Sequence, residues 1–277
     1  MKKKLIAISL AVAILAVTAI GVSIAYFTDT DNETNTFTMG NVIIDLIEQQ
    51  RDEEGTALET FEQDKFLVPI VGSAQDPADA NGLPTAANYV DKVVTVENTG
   101  SLDAYVRAYF AIPAVLDNTT DAGLNILHFN FGTRPAEADD NDQNNDGWVS
   151  TGANDRWIWQ NADGSWKSFD TTIDGILYNV YYADYYQTLA PEATTERFVN
   201  GVYLDANVIN IGQNADGTSF ITIKRPGATT ETVVQLGFDI GDGVSCPVFA
   251  IACQAAGFAT AEEAFTASFG ANYNPWA

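Results

Sequence analysis

The nine residues from 139 to 147, DDNDQNNDG, are the part of the chain whose types and spacing best suit metal binding. Counted from Asp142, oxygen-bearing side chains recur at the first, third and fifth positions, which are Asp142, Asn144 and Asp146, and a glycine follows. This is the first half of a calcium loop, in which the glycine permits a sharp turn. The twelfth position is Ala153 instead of glutamate, with an aspartate two positions later. Two interpretations stay open: a Ca²⁺ site with a substitute ligand, and an exposed acidic loop.

Histidine content argues against catalysis. The chain has one histidine, His128, in the alternating apolar run LHFNF. A zinc protease of the HExxH type needs two histidines one helical turn apart, with a glutamate between them. No Ser-His-Asp arrangement has better support, and no glycine-rich loop has phosphate-binding spacing. The sequence therefore predicts a protein that is not an enzyme, with His128 as a structural residue.

Cys246 and Cys253 are the only cysteines. Seven residues of straight strand would separate their Cα atoms by roughly 23 Å, whereas a disulfide needs about 6 Å. A bridge therefore requires a bend between them, for which Pro247 is a candidate. The pattern favours two small buried apolar residues over a disulfide.

Four of the five tryptophans, Trp148, Trp157, Trp159 and Trp166, lie between residues 113 and 177. Because Trp157 and Trp159 alternate, they share one face of any strand that contains both. Such a face could be a carbohydrate-binding platform, but packing in a core is the interpretation that the pattern favours for some of them.

The charge of the chain excludes several partners. All 37 acidic residues follow residue 25, whereas three of the 13 basic residues precede it, which leaves 10 positive and 37 negative charges, or −27, in the remainder. Such a field repels nucleic acids and anionic lipid surfaces. Divalent cations and basic surfaces are the partners that it favours.

The amino terminus has the parts of a secretory signal peptide in their usual order. Three lysines precede an apolar run over 5–22, and the small-x-small triplet Ser23-Ile24-Ala25 ends it. We expect cleavage between Ala25 and Tyr26 to release a secreted chain, so that the protein meets a membrane only through residues 1–25 before cleavage. An uncleaved membrane anchor is the alternative, since the run approaches a spanning length.

Several motifs resemble those of the TasA–camelysin family. The segments that carry the resemblance are AYFTDTD at 25–31, FTMGNV at 37–42, VENTGSL followed by YVR at 96–107, and QAAGF followed by AEEAF at 254–265. They cover both ends and about a third of the chain, and residues 113–177 match no motif of the family. The resemblance implies processing by a membrane-bound signal peptidase of the SipW type, a jelly-roll fold and filaments in a biofilm matrix. Because camelysin is described as a metalloprotease, it also implies a cell-surface protease as an alternative.

Short runs with period-two alternation, separated by turn residues, predict an all-β protein. The predicted strands are 41–47, 89–97, 104–112, 176–187, 199–211, 219–224, 231–238 and 248–252. Within 104–112, we expect Tyr105, Arg107 and Tyr109 to point outward and the alternate apolar residues to face the core. Thr260 and Glu263 form a capping box that predicts a helix over 261–269, ending at Gly270.

Together these patterns predict a jelly-roll-like β-sandwich over 48–277, with a long insertion at about 113–177 and a short C-terminal helix. The insertion makes a monomeric surface adhesin a further alternative. We expect residues 26–47 to include a strand that can complete the sheet of its own domain or of a neighbouring copy.

Repeated head to tail, strand addition to a neighbour would build a filament from copies of this chain. The residues predicted to take part in this assembly are Tyr26, Phe27, Phe37, Val42 and Ile44. The function that the sequence favours is thus a secreted structural subunit of an extracellular fibre or matrix.

Overall fold

The computed structural model describes residues 28–30, 42–63, 65–74, 79, 81, 83–117, 125–131 and 156–277. Within these ranges the chain forms fourteen strands, two short 3-10 helices (114–116 and 240–242) and one α-helix. The strands are β1 Thr28–Thr30, β2 Ile44–Arg51, β3 Leu58–Thr60, β4 Val90–Asn98, β5 Ala104–Pro113, β6 Leu127–Phe131, β7 Trp157–Ile158, β8 Ser168–Ile173, β9 Ile176–Tyr185, β10 Val199–Leu204, β11 Val208–Gln213, β12 Ser219–Ile223, β13 Thr232–Gln235 and β14 Val248–Gln254. The α-helix, α1, spans Ala261–Phe269. The predicted all-β class with a short C-terminal helix is confirmed.

The strands form three antiparallel sheets. The first sheet has the order β1-β14-β5-β9-β7, with β8 also paired to β9; the second has the order β3-β2-β4-β10-β6; the third is β11-β12-β13. Phe110 of the first sheet and Phe129 of the second are in edge-to-face contact, with ring centroids 4.1 Å apart. One buried cluster contains side chains from all three sheets, so the first two sheets pack face to face as a sandwich and the third extends the same core.

The predicted insertion at 113–177 supplies parts of both main sheets. β6 pairs with β10 in the second sheet, and β7 and β8 pair with β9 in the first. Leu127 and Phe129 of β6 lie in the core. β5 and β9, at the two ends of the segment, pair directly with each other.

Strand β5 is buried on both faces, so the prediction that Arg107 and Tyr109 point outward is wrong. Arg107 is 7% exposed and Tyr109 is 1% exposed. Helix α1 and the chain after it cover this face, where Phe265, Tyr273 and Trp276 pack in the same cluster as Tyr109. The third residue of that face, Tyr105, is half-buried at its edge.

Helix α1 begins and ends where its sequence indicates. The Thr260 hydroxyl accepts a hydrogen bond from the Glu263 N–H at 3.2 Å, and the Glu263 carboxylate accepts one from the Ala259 N–H at 3.1 Å. Gly270 follows with a φ of 89°, which favours glycine. These local signals place Ala264 and Phe265 on the side that packs against the first sheet.

No helix among the described residues has both the length and the apolar character needed to cross a membrane.

Candidate functional site

The side of β14 that faces away from β5 is paired with the amino-terminal strand β1. On one side, all seven residues of β14 pair with β5. On the other side, β1 pairs with only part of it: Thr28 lies opposite Cys253, Asp29 opposite Ala252 and Thr30 opposite Ile251. Without β1, β14 would be an edge strand of the first sheet.

The three residues of β14 that pair with β1 are apolar and buried. Ile251, Ala252 and Cys253 are each 0% exposed. Ala252 faces the inter-sheet core, and Ile251 and Cys253 face the cluster under α1. Because unpaired N–H and C=O groups in such surroundings are costly and invite another strand, this part of β14 needs a partner strand.

The connection between β1 and the rest of the fold is long. Thirteen residues, 31–43, separate Thr30 from Ile44. A chain of that length spans up to about 45 Å when extended. β1 therefore has enough connecting chain to pair with β14 of its own molecule or of another copy.

Strand β2, by contrast, is integrated into its own domain. It pairs with β4 over six residues, from Ile44 opposite Asn98 to Gln49 opposite Val93. Val42 and Ile44 are 3% and 1% exposed, within the main core. Of the five residues predicted to assemble, these two pack intramolecularly.

The remaining predicted site residues lie outside the described ranges. They are Ser23, Ala25, Tyr26, Phe27, Phe37, Asp142, Asn144 and Asp146. Among the residues that are described, no three His, Cys, Asp or Glu side chains are grouped so that they could hold a metal ion.

His128 is held by neighbours on the outer face of the second sheet. Its Nε2 lies 2.9 Å from the Asp205 carboxylate, and its ring stacks on Tyr203 at 4.8 Å. Burial alone would raise the pKa of Asp205, but hydrogen bonds from His128 and Asn207 outweigh it and lower that pKa. The arrangement ties β6 to β10 and suits a structural histidine.

A buried ion cluster, which sequence reasoning missed, fastens α1 to the first sheet. The Arg107 guanidinium contacts Asp184 at 2.5 and 3.1 Å and Glu262 at 2.6 Å. Lys167 also donates to Asp184, and the Phe265 ring lies 4.5 Å from the Arg107 guanidinium carbon. Nothing in the sequence pairs β5 with β9, so no local signal could have joined these residues.

Trp157, Trp159 and the two cysteines are packing residues in this structure, and Trp148 lies outside the described residues. Trp157 and Trp159 are 2% and 4% exposed, and both rings contact Phe198 in the core. Cys246 and Cys253 are unbridged. Burial raises the pKa of each thiol to about 12, which keeps both thiols protonated at physiological pH.

A cavity of about 540 Å³ opens between the two main sheets. Its apolar side is lined by residues of β4, β6 and β10, and it is also lined by Phe61, Gln63, Lys65 and Leu67 and by the segment 243–247. The polar side chains that line it are Glu48, Gln63, Lys65, Lys92 and Ser245.

No family model, curated protein or solved structure matches this chain.

Proposed function

We propose that this protein is a secreted structural subunit of an extracellular fibre or matrix, in which β1 of one copy pairs with β14 of the next. The observation that carries the proposal is the pairing of Thr28–Thr30 with the buried, apolar edge of β14. The motif resemblance and the signal-peptide pattern support export of the chain.

Exchange of β1 between copies keeps every main-chain contact that the isolated molecule makes. The strand, the acceptor edge and the register are the same, and only the molecule that supplies the strand changes. The connection of thirteen residues is long enough for the exchange. Because the donor segment and the acceptor edge are different surfaces, the contact is heterologous, and repetition gives an open filament.

Electrostatic repulsion sets the conditions for assembly. Copies that each carry −27 beyond residue 25 resist close stacking at neutral pH. Protonation of carboxylates at low pH, or binding of divalent cations, reduces that repulsion. We therefore expect assembly on acidification or on addition of Ca²⁺, with Ca²⁺ acting as a counterion or at Asp142, Asn144 and Asp146.

The proposal assigns no catalytic role to the chain. Its one histidine already contacts Asp205 and stacks on Tyr203. The alternatives have separate tests: a surface metalloprotease requires cleavage of casein that chelation abolishes, and a monomeric adhesin requires glycan binding. Because β6, β7 and β8 belong to the sheets, the adhesin test should remove only residues 132–155.

A disulfide trap tests the exchange directly. Thr28 lies opposite Cys253, and paired cross-strand positions are close enough for a bridge after small adjustment. We would introduce Thr28→Cys with Cys246→Ser into the mature chain, and oxidise dispersed and assembled protein with iodine. Dispersed protein should give bridged monomers, whereas fibres should give a ladder of covalent oligomers on non-reducing gels.

The matched control is Asp29→Cys in the same background. Position 29 lies opposite Ala252 and not opposite Cys253, so a cysteine there should not bridge to Cys253. Bridges only within single chains in assembled material would refute strand exchange. Equal fibre formation by a chain that lacks residues 26–36, seen by negative-stain electron microscopy, would refute the role of the segment.

A further inference from the structure

The cavity is lined by residues other than those of the β1–β14 ladder, and it has a chemistry of its own. Its floor is built from the inward-facing residues of three strands: Val90 of β4, Leu127 and Phe129 of β6, and Val202 of β10. A volume of about 540 Å³ lies within the range of roughly 300–1,000 Å³ typical of small-molecule sites.

Two further groups of residues line the cavity beside this floor. Phe61, Gln63, Lys65 and Leu67 alternate along one wall and all face the cavity. Phe66, between them, is 92% exposed and points away. The other wall is 243–247, which leads into β14.

A buried ion pair lies at one end of the floor. Lys92, which is 8% exposed, donates to the Glu48 carboxylate at 2.7 Å. Its ammonium also lies 4.6 Å from the centroid of the Phe61 ring. The negative charge of Glu48 is therefore neutralised within the lining.

Lys65 supplies a positive charge that is free to change partners. Within the part of the chain that the structure describes, its ammonium pairs with Glu62 at 2.9 Å, and the Glu62 side chain is 72% exposed. Exposed pairs of this kind contribute little. Two lysines and one glutamate line the cavity, and Glu62 pairs with Lys65 beside it, so its surroundings are close to neutral in a chain that is strongly acidic as a whole.

We propose that this cavity binds a small amphipathic carboxylate, with its hydrocarbon or aromatic body on the apolar floor and its carboxylate at Lys65 and Lys92. At physiological salt the screening length is about 8 Å, so the acidic groups far from the cavity have little effect on a carboxylate bound at Lys65. The body of the ligand lies against Val90, Leu127, Phe129 and Val202.

Isothermal titration calorimetry of the soluble mature chain, at 0.15 M salt and neutral pH, tests the proposal with straight-chain carboxylates of six to twelve carbons below their micellar concentrations. Burial of each added methylene should tighten binding about fourfold until the cavity is full. Alkylamines of the same lengths should bind at least about tenfold more weakly, since they lose the contact with lysine and meet its charge.

Two variants locate the site. Val244→Trp fills the cavity from its wall and should abolish binding, whereas Val233→Trp, at an exposed position on β13, should not. Lys65→Gln should weaken carboxylate binding by about tenfold and leave the binding of alkyl alcohols unchanged. Lys224→Gln is its control, because Lys224 is a surface lysine paired with Glu231.

Three results would overturn the proposal: no binding by any carboxylate in the series, equal binding of carboxylates and amines, or binding that persists in Val244→Trp. None of them bears on strand exchange, which the disulfide trap measures separately. Failure of Val244→Trp to fold would show as lost near-ultraviolet circular dichroism, and Lys65→Gln, at the surface, then carries the test.

Discussion

Replacement of Asp184 by asparagine, which exchanges one oxygen for an amide nitrogen, should be among the most destabilising isosteric substitutions in the chain. Asp184 is 3% exposed and accepts from both Arg107 and Lys167. Asp184→Asn keeps the shape of the side chain but removes its charge. Two cations at 7% exposure each then lose this carboxylate: Arg107 keeps only Glu262, whose side chain is 60% exposed, and Lys167 loses the ion pair that it makes with Asp184.

The magnitude follows from what is left unpaired. Removal of one partner from a buried ion pair typically costs 3–5 kcal/mol, because the other charge stays buried without compensation. We expect Asp184→Asn to lower the free energy of unfolding by about 4 kcal/mol, or the melting temperature by roughly 10 °C for a chain of this size.

Urea denaturation followed by far-ultraviolet circular dichroism measures this difference, and Glu262→Gln is the matched control. Glu262 contacts the same guanidinium at 2.6 Å, but exposure and solvent screening limit its contribution to about 1 kcal/mol or less. If Asp184→Asn costs less than about 1 kcal/mol, or if Glu262→Gln costs as much, the assignment of the cluster as a buried lock between β5, β9 and α1 is refuted.

Two further predictions concern titratable groups. The pKa of Asp205 is lowered in the folded chain, so its contribution to stability is fully present above its unfolded pKa near 3.9 and is lost as pH falls through the lower folded value. Asp205→Asn should therefore be less stable than the unmodified chain at pH 6 and should lose stability less steeply below pH 4 in acid-denaturation curves. Equal slopes for the two chains below pH 4 would contradict this prediction. Because both thiol pKa values are near 12, Ellman's reagent at pH 8 should react with the native chain more than about 100-fold more slowly than with free cysteine. In urea without reductant, two thiols per chain should react. If no thiol reacts in urea, the two cysteines form a disulfide.

The elements predicted best are those specified by residues close together in sequence. Helix α1 matches its predicted bounds because its cap, first turn and terminal glycine are all local. β5 was likewise predicted nearly in full from alternation alone. By contrast, the predicted strand 199–211 is two strands, β10 and β11. Asp205 accepts from the Asn207 N–H at 2.7 Å, and this Asx turn separates them.

The candidate site was only partly predictable. The sequence predicts a strand at 41–47, of which residues 44–47 belong to β2 in the second sheet. It gives no reason to expect a strand at 28–30 or to pair that strand with β14, more than 200 residues away. The cavity was not predicted at all, since its lining combines segments near residues 48, 61–67, 90, 127, 202 and 245.

The sequence by itself determined the all-β class, the C-terminal helix and the strong negative charge, because alternation, capping and composition are properties of neighbouring residues or of the whole chain. Only the tertiary structure decided that β5 is buried on both faces, that Arg107 meets Asp184, and that β1 pairs with an apolar edge of β14. Each of these depends on which strands pair and on what covers the sheet. Contacts between distant segments decide which strands pair and which segments cover a sheet. The same local sequence pattern is compatible with several such arrangements.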